Sequence, residues 1–245
     1  MFKAEIKSET LKGLVSIIST LIDEVKFTVN SDGMSLKAVD PAHVAMIELN
    51  IGAKAFESYS ATETEIGVDL DKVKSVIKLA GPGETIIMEQ DEGQGRLVFK
   101  IGNITRRMNL IDTSCMNDPK VPQLTLSANI GILVDQLQKG IRAAESISDH
   151  IALKADSEGF ELSCEGDTDF ASLRVEKAAL ESLKADSKVC SLYPLEYFSN
   201  LIKAIPSGTI VNIELDDDYP VKLVFKLANG ESTVSYFLAP RIESD

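Results

Sequence analysis

The heptapeptide "LVFKIGN" at Leu97–Asn103 returns almost unchanged as "LVFKLAN" at Leu223–Asn229, 126 positions further along a chain of 245 residues. The turn triplets "SDG" (31–33) and "SEG" (157–159) keep the same spacing, inside "FTVNSDGMSLKA" and "ALKADSEGFELS". "IKLAGPGETI" from Ile77 answers to "IKAIPSGTI" from Ile202. Each half therefore reads as a helix, strands around a Ser-Asp/Glu-Gly turn, a second helix ended by a Gly/Pro cluster, and a hairpin closing on the LVFK strand. One supersecondary plan is used twice, which predicts two similar domains. Their junction falls in "DTSCMNDPKVPQ" (Asp112–Gln123), where two prolines and a run of polar residues oppose any regular element. The expected division is 1–111, a connector at 112–124, and 125–245.

Four stretches carry the helical period. Leu11, Leu14, Val15, Ile18, Leu21, Ile22 and Val25 follow the i, i+3, i+4, i+7 rule, with Ser8 as the expected N-cap. The second helix is expected over about 70–80, burying Val73, Val76 and Ile77. A third, over about 130–144, buries Leu133, Val134, Leu137 and Ile141. The fourth, over about 194–205, buries Leu195, Phe198, Ile202 and Ile205, with Pro194 in the first turn where no amide bond is lost. Much of the rest alternates with period two, as in "TRRMNLI", "ELSCEG" and "TIVNIEL", the mark of antiparallel strands with one face on a core. The fold class is α+β: in each half, antiparallel sheet with two helices on one face.

The hydrophobic content of 44% is ample for a core in each half. No apolar run approaches a membrane span, and "MFKAEIKSET" lacks the apolar core of a signal peptide, so a soluble intracellular protein is expected. Cys115, Cys164 and Cys190 are odd in number and far apart, suggesting neither a disulfide framework nor a zinc site. The net charge of −13 opposes nucleic-acid binding as a sum. Its distribution does not. Helix surfaces facing away from the sheets carry Lys12, Lys72, Lys74, Lys78, Lys139, Arg142 and Lys203, whereas acidic residues concentrate in strands, turns and termini such as "DDDY" (216–219) and "RIESD" (241–245).

Several stretches then carry a family resemblance: "LKAVDPAHVAMIEL" (36–49), "GVDLDKVKSVIKLAG" (67–81), the connector, and the closing "YFLAPRIE" (236–243). Over its whole length the chain resembles sliding clamps of the proliferating cell nuclear antigen family. The resemblance implies a closed trimeric ring whose helices line a hole around duplex DNA, as a polymerase processivity factor that slides and tethers replication and repair proteins. Lys12, Lys78, Lys139, Arg142 and Lys203 match basic positions of the family, while Lys72 and Lys74 rest on the helix faces alone. Lys and Arg without interleaved aromatics suit loose, sequence-independent phosphate contact. By resemblance, client proteins insert a short hydrophobic motif near Val39, His43, Val44, Val121, Pro122, Pro220, Phe237, Leu238, Ala239 and Pro240. By the same resemblance, the subunit joint is expected to pair the strand Thr105–Leu110 of one chain, with Thr105, Arg106, Arg107, Met108 and Leu110, against about Phe170–Val175 of the next, with Ala171, Leu173 and Val175.

Expected partners are double-stranded DNA, further copies of the chain, and the clamp loader, DNA polymerase, flap nuclease and ligase, with no membrane. The expected location is cytoplasmic, at the nucleoid if the chain is archaeal, or nuclear if it is eukaryotic. An alternative is one subunit of a heterotrimeric clamp, such as a damage checkpoint ring or a mixed archaeal ring. An enzyme is disfavoured: the chain has two histidines, no P-loop, no G-x-S-x-G and no H-E-x-x-H, so a Cys/His hydrolase would have to be built from Asp40, His43 and a cysteine. No cofactor or metal is expected, and "DDDY" reads as a solvated hairpin turn.

Overall fold

The same order of elements runs twice along the chain. In the computed structural model, which describes residues 1–241, the first pass is β1 (Phe2–Lys7), α1 (Ser8–Ile18), β2 (Glu24–Asn30), β3 (Gly33–Val39), β4 (Ala45–Gly52), β5 (Ser58–Ala61), β6 (Thr64–Asp69), α2 (Leu70–Ile77), β7 (Thr85–Asp91), β8 (Arg96–Ile101) and β9 (Ile104–Asn109). The second is β10 (Ala128–Leu133), α3 (Val134–Ala144), β11 (His150–Asp156), β12 (Gly159–Glu165), β13 (Phe170–Glu176), β14 (Ser182–Ala185), β15 (Val189–Pro194), α4 (Leu195–Ala204), β16 (Ile210–Leu215), β17 (Val221–Leu227) and β18 (Ser232–Leu238). The repeated LVFK stretch forms β8 in one half and β17 in the other. Ile242 and Glu243 of the tail stretch, with the rest of "RIESD" after Arg241, lie outside the described residues.

The chain forms two compact units. The first comprises Met1–Pro41, Ile47–Val121 and Lys226–Val234; the second comprises Ala42–Met46, Pro122–Phe225 and, among the described residues, 235–241. In the first, strands are ordered β5-β1-β7-β8-β9 and β4-β3-β2-β6; in the second, β13-β12-β11-β15 and β14-β10-β16-β17. Every pair with a resolved register is antiparallel, as the period-two patterns require. Each unit buries an apolar helix stripe against its sheets: Leu11, Leu14, Val15 and Ile18 with Val73 and Val76 in one, Leu137 and Ile141 with Phe198 and Ile202 in the other. Burial of such a side chain is worth roughly 1.5–3 kcal/mol. Among the described residues no helix is long and apolar enough to cross a membrane.

A repeated acid fixes the helical layer. Glu9 in the first turn of α1 accepts from the Gly83 amide at 2.5 Å, and Asp135, 126 positions later in α3, accepts from Gly208 N at 2.8 Å. Both glycines have left-handed backbones (φ 77° and 79°), which glycine adopts without penalty. These bonds tie the loop after α2 or α4 to the start of α1 or α3, and each carboxyl is held below its usual pKa, Glu9 first by the Gly83 amide and Asp135 first by the Ser207 hydroxyl.

Helix boundaries differ from the sequence expectation. α1 begins at Ser8 and ends at Ile18, so Leu21 closes a tight turn and Val25 lies in β2, although both remain buried. Ser8 is not the cap: Lys7 is, without a side-chain bond, while the Ser8 hydroxyl donates to Gly81 O at 3.0 Å. α2 ends at Ile77, three residues short, and is capped by Asp69, whose carboxylate accepts from Lys72 N at 3.0 Å. α3 starts only at Val134, because Ala128, Ile130 and Ile132 alternate inward as strand β10 and pair with β16. Pro194 ends β15 and caps α4 rather than starting it.

Candidate nucleic-acid, client and subunit interfaces

The seven basic residues of the helices do not form one class. In the first unit, α1 and α2 pack side by side and leave a groove of about 540 Å³ lined by Lys12, Lys74 and Lys78 together with Glu9 and Ser16. Lys74 is committed to Asp71 at 3.0 Å, whereas Lys12 and Lys78 have no carboxylate partner among the described residues. Lys72 sits elsewhere. It pairs with Asp69 at 3.0 Å and lines, with Arg106 and Arg107, a separate recess of about 250 Å³ beside β9.

In the second unit, Lys139 and Arg142 are exposed on α3, and Arg142 Nε donates to Gln138 O at 3.2 Å. Lys203 on α4 binds Glu145, just after α3, and Ser199 Oγ donates to the same carboxylate at 2.6 Å. Lys203 first, then the Ser199 hydroxyl, hold Glu145 below the ordinary carboxylate range, so it is ionised near neutrality and offsets the Lys203 charge. The sequence could not show this pairing, because the partners are 58 residues apart. Among the described residues the fully exposed helix side chains include no aromatic, and the one half-buried aromatic of the helices is Tyr197 on α4, so the exposed basic residues suit phosphate contact better than base stacking.

The strands expected at a subunit joint, β9 and β13, are both edge strands. Leu110 N donates to Gly95 O at 3.0 Å. Ladder alternation then turns the amides of Met108 and Arg106 toward β8, and those of Asn109, Arg107 and Thr105 outward. Thr105, Arg106 and Arg107 are exposed, Met108 is buried and Leu110 is half-buried; on β13, Ala171 and Leu173 are half-buried and Val175 is buried. Two exposed apolar side chains sit on these edges: Phe170, 62% exposed, begins the strand expected at the joint, whereas Ile104, 46% exposed, lies one residue before the expected range. Alternation marks a strand but not its place in a sheet, so nothing local to them signalled an edge. β13 is braced from within by Arg174, which makes two bonds to the Asp156 carboxylate at 2.9 and 3.2 Å.

Of the residues expected around a client motif, the second unit contains all but Val39 and Val121, which belong to the first. Ala239 N donates to Val44 O at 2.9 Å, fixing the tail beside the loop that carries exposed His43, whose backbone is left-handed (φ 58°). Ala239 and Pro240 are half-buried, while Phe237 (5% exposed) and Leu238 (0%) are core residues of the free chain. Arg241 anchors the tail beyond Pro240, its amide donating to Leu192 O at 2.7 Å and its guanidinium lying 2.6 Å from His150 Nε2. Pro220 comes directly after Tyr219, an exposed aromatic not singled out from sequence, whose carbonyl accepts from the Tyr193 hydroxyl at 2.7 Å. The "DDDY" turn is more than a solvated hairpin: Asp216 accepts from Ser127 N and Asp217 from Cys190 N.

Comparison with known proteins identifies the family. Residues 1–117 match the family description "Proliferating cell nuclear antigen, N-terminal domain", and residues 120–241 match the corresponding C-terminal domain. The chain belongs to the proliferating cell nuclear antigen family. It is 40% identical, over all of both chains, to the DNA polymerase sliding clamp of Methanosarcina mazei, and 38% identical over all of both to that of Haloarcula marismortui. Among solved structures it resembles A. fulgidus PCNA bound to the C-terminal region of FEN-1, with a TM-score of 0.94 and 32% identity over the whole of each chain. A Thermococcus kodakaraensis PCNA, 24% identical, shares the fold with a TM-score of 0.91, covering 98% of this chain and all of that one. As a member of this family the chain is a sliding clamp, a scaffold for replication proteins rather than an enzyme.

Proposed function

We propose that this clamp works as a homotrimeric ring around duplex DNA, with domains at 1–111 and 125–245 joined by a connector at 112–124. Lys12, Lys74, Lys78, Lys139, Arg142 and Lys203 face the phosphates, with Lys72 contributing near the joint. Its strands β9 and β13 join successive subunits by adding one sheet to another. Clients that include polymerase, clamp loader, flap nuclease and ligase dock through short hydrophobic motifs at Val39, His43, Val44, Val121, Pro122, Pro220 and the 237–240 tail. The solved complex of A. fulgidus PCNA with the C-terminal region of FEN-1 supports this mode of docking. Archaeal relatives and the lack of a membrane-spanning helix among the described residues support a cytoplasmic, nucleoid-associated location.

The observation that supports the ring is that β9 in the first unit and β13 in the second both end a sheet, each with a strand neighbour on one side alone among the described residues. A chain with two such edges propagates head to tail and closes when the rotation allows. Basic faces without base-reading side chains suit a ring that slides, because base-edge contacts would trap it at particular sequences. The test is primer extension by a cognate archaeal polymerase on a long template. Lys78→Glu with Lys203→Glu is expected to shorten clamp-dependent products while leaving the subunit mass of the assembly unchanged; full-length products from the double variant would refute the DNA-facing assignment.

A further inference from the structure

Lys26 is an anomaly for a strand lysine. β2 alternates, with Val25, Phe27 and Val29 in the core, so Lys26 projects from the opposite face, yet its side chain is only 11% exposed. Its ammonium lies 3.0 Å from Asp118 Oδ1 in the connector and 3.3 Å from Glu65 Oε1 on β6. Glu65 reaches the connector as well, because its other carboxylate oxygen accepts from Thr113 Oγ1 at 2.8 Å. Between these side chains the backbone closes the contact: Ile111 N donates to Gly67 O at 2.9 Å, and Gly67 is the cross-strand partner of Lys26. A methyl group on Gly67 would fall 2.5 Å from Ile111 O and 2.9 Å from Thr113 Cγ2, so this approach requires glycine.

We infer that Lys26, Glu65 and Gly67 form a latch that holds the first half of the connector on the edge strand β6 and so positions Val121, three residues beyond Asp118, for client docking. The inference rests on the client-pocket reading above. With most of the Lys26 side chain covered, its ammonium has less water to solvate it and is held by the two carboxylates. Asp118 and, less strongly, Glu65 raise the Lys26 pKa despite its burial, which fits that pairing. An extended, proline-bearing segment would otherwise sample many conformations, and a client would bear the entropy of ordering it. Lys26 is thus a positioning residue: it touches the connector, not the client.

The test uses the full-length protein, with a peptide from the C-terminal region of an archaeal FEN-1 as the probe. Amide exchange across 111–121 and peptide affinity are measured for Lys26→Met, Lys26→Arg, Asp118→Asn and Val121→Asp. The latch predicts that Lys26→Met speeds exchange in this segment and weakens the peptide about tenfold, the loss expected when about 1.4 kcal/mol of pre-organisation disappears. Lys26→Arg is expected to restore both, a rescue that simple destabilisation would not give. Asp118→Asn, on the exposed connector, is expected to reproduce part of the effect and decides the matter if Lys26→Met fails to fold. Unchanged exchange would overturn the latch. Faster exchange with unchanged affinity, while Val121→Asp abolishes binding, would overturn its role in docking. Normal binding by Val121→Asp would instead show that the pocket reading has failed, and the docking role with it.

Discussion

Lys12 and Lys78 give the sharpest test of how this clamp meets DNA, because both line the α1–α2 groove and neither has a carboxylate partner among the described residues. Replacing both with glutamine removes charge without adding repulsion. Each phosphate contact by a cation contributes about 0.9 to the slope of log K against log salt, and at 0.1 M salt that is about eightfold in affinity. If both lysines touch phosphates at once, the double variant loses about 1.8 from the slope and about 60-fold in affinity at 0.1 M salt. The assay is fluorescence anisotropy of a labelled duplex titrated with protein at several salt concentrations. Lys37→Gln is the control: Lys37 lies on β3, pairs with Glu48 at 3.8 Å, and should leave the slope as it is. A double variant with the wild-type slope, or a control that loses as much, would refute phosphate contact by this groove.

The same geometry sets three further outcomes. Arg107→Pro keeps the β8–β9 ladder, since the lost amide points outward, but blocks pairing at the edge; sedimentation should show a folded chain that no longer assembles. Glu145→Gln frees Lys203 from its carboxylate and should tighten DNA binding with a steeper salt dependence; because the Glu145 pKa is lowered, the wild type should approach the same behaviour only as pH falls below the ordinary glutamate range near 4. Leu238→Ala empties a fully buried site and should cost about 2–5 kcal/mol by denaturant unfolding, unlike a change at half-buried Pro240.

The duplication was legible because both copies retain the residues that shape the backbone: the Gly of each turn, the Gly/Pro ends of the second helices and the alternating LVFK strand. Helix lengths were overread where apolar residues satisfy two periods at once. Ile130 and Ile132 fit the stripe of α3 but alternate inward on β10, and Leu21 and Val25 stay buried beyond the end of α1. The basic faces were legible from helical spacing, yet their net charge was not. Asp71 and Asp69 neutralise Lys74 and Lys72 locally, a pairing that i, i+3 spacing could have suggested, while Glu145 reaches Lys203 only through the packing of α3 on α4. The edges that expose Ile104 and Phe170, and the connector that covers Lys26, depend on strand order and on contacts up to 92 positions apart (26 to 118), which no local pattern encodes.

The ring itself is tested most directly by the solution mass, measured by light scattering over a wide range of concentrations. A self-closing trimer has a mass near three times 26.6 kDa, held on dilution. A mass of one chain at every concentration would contradict self-closure through β9 and β13 and show that the ring requires a different partner subunit.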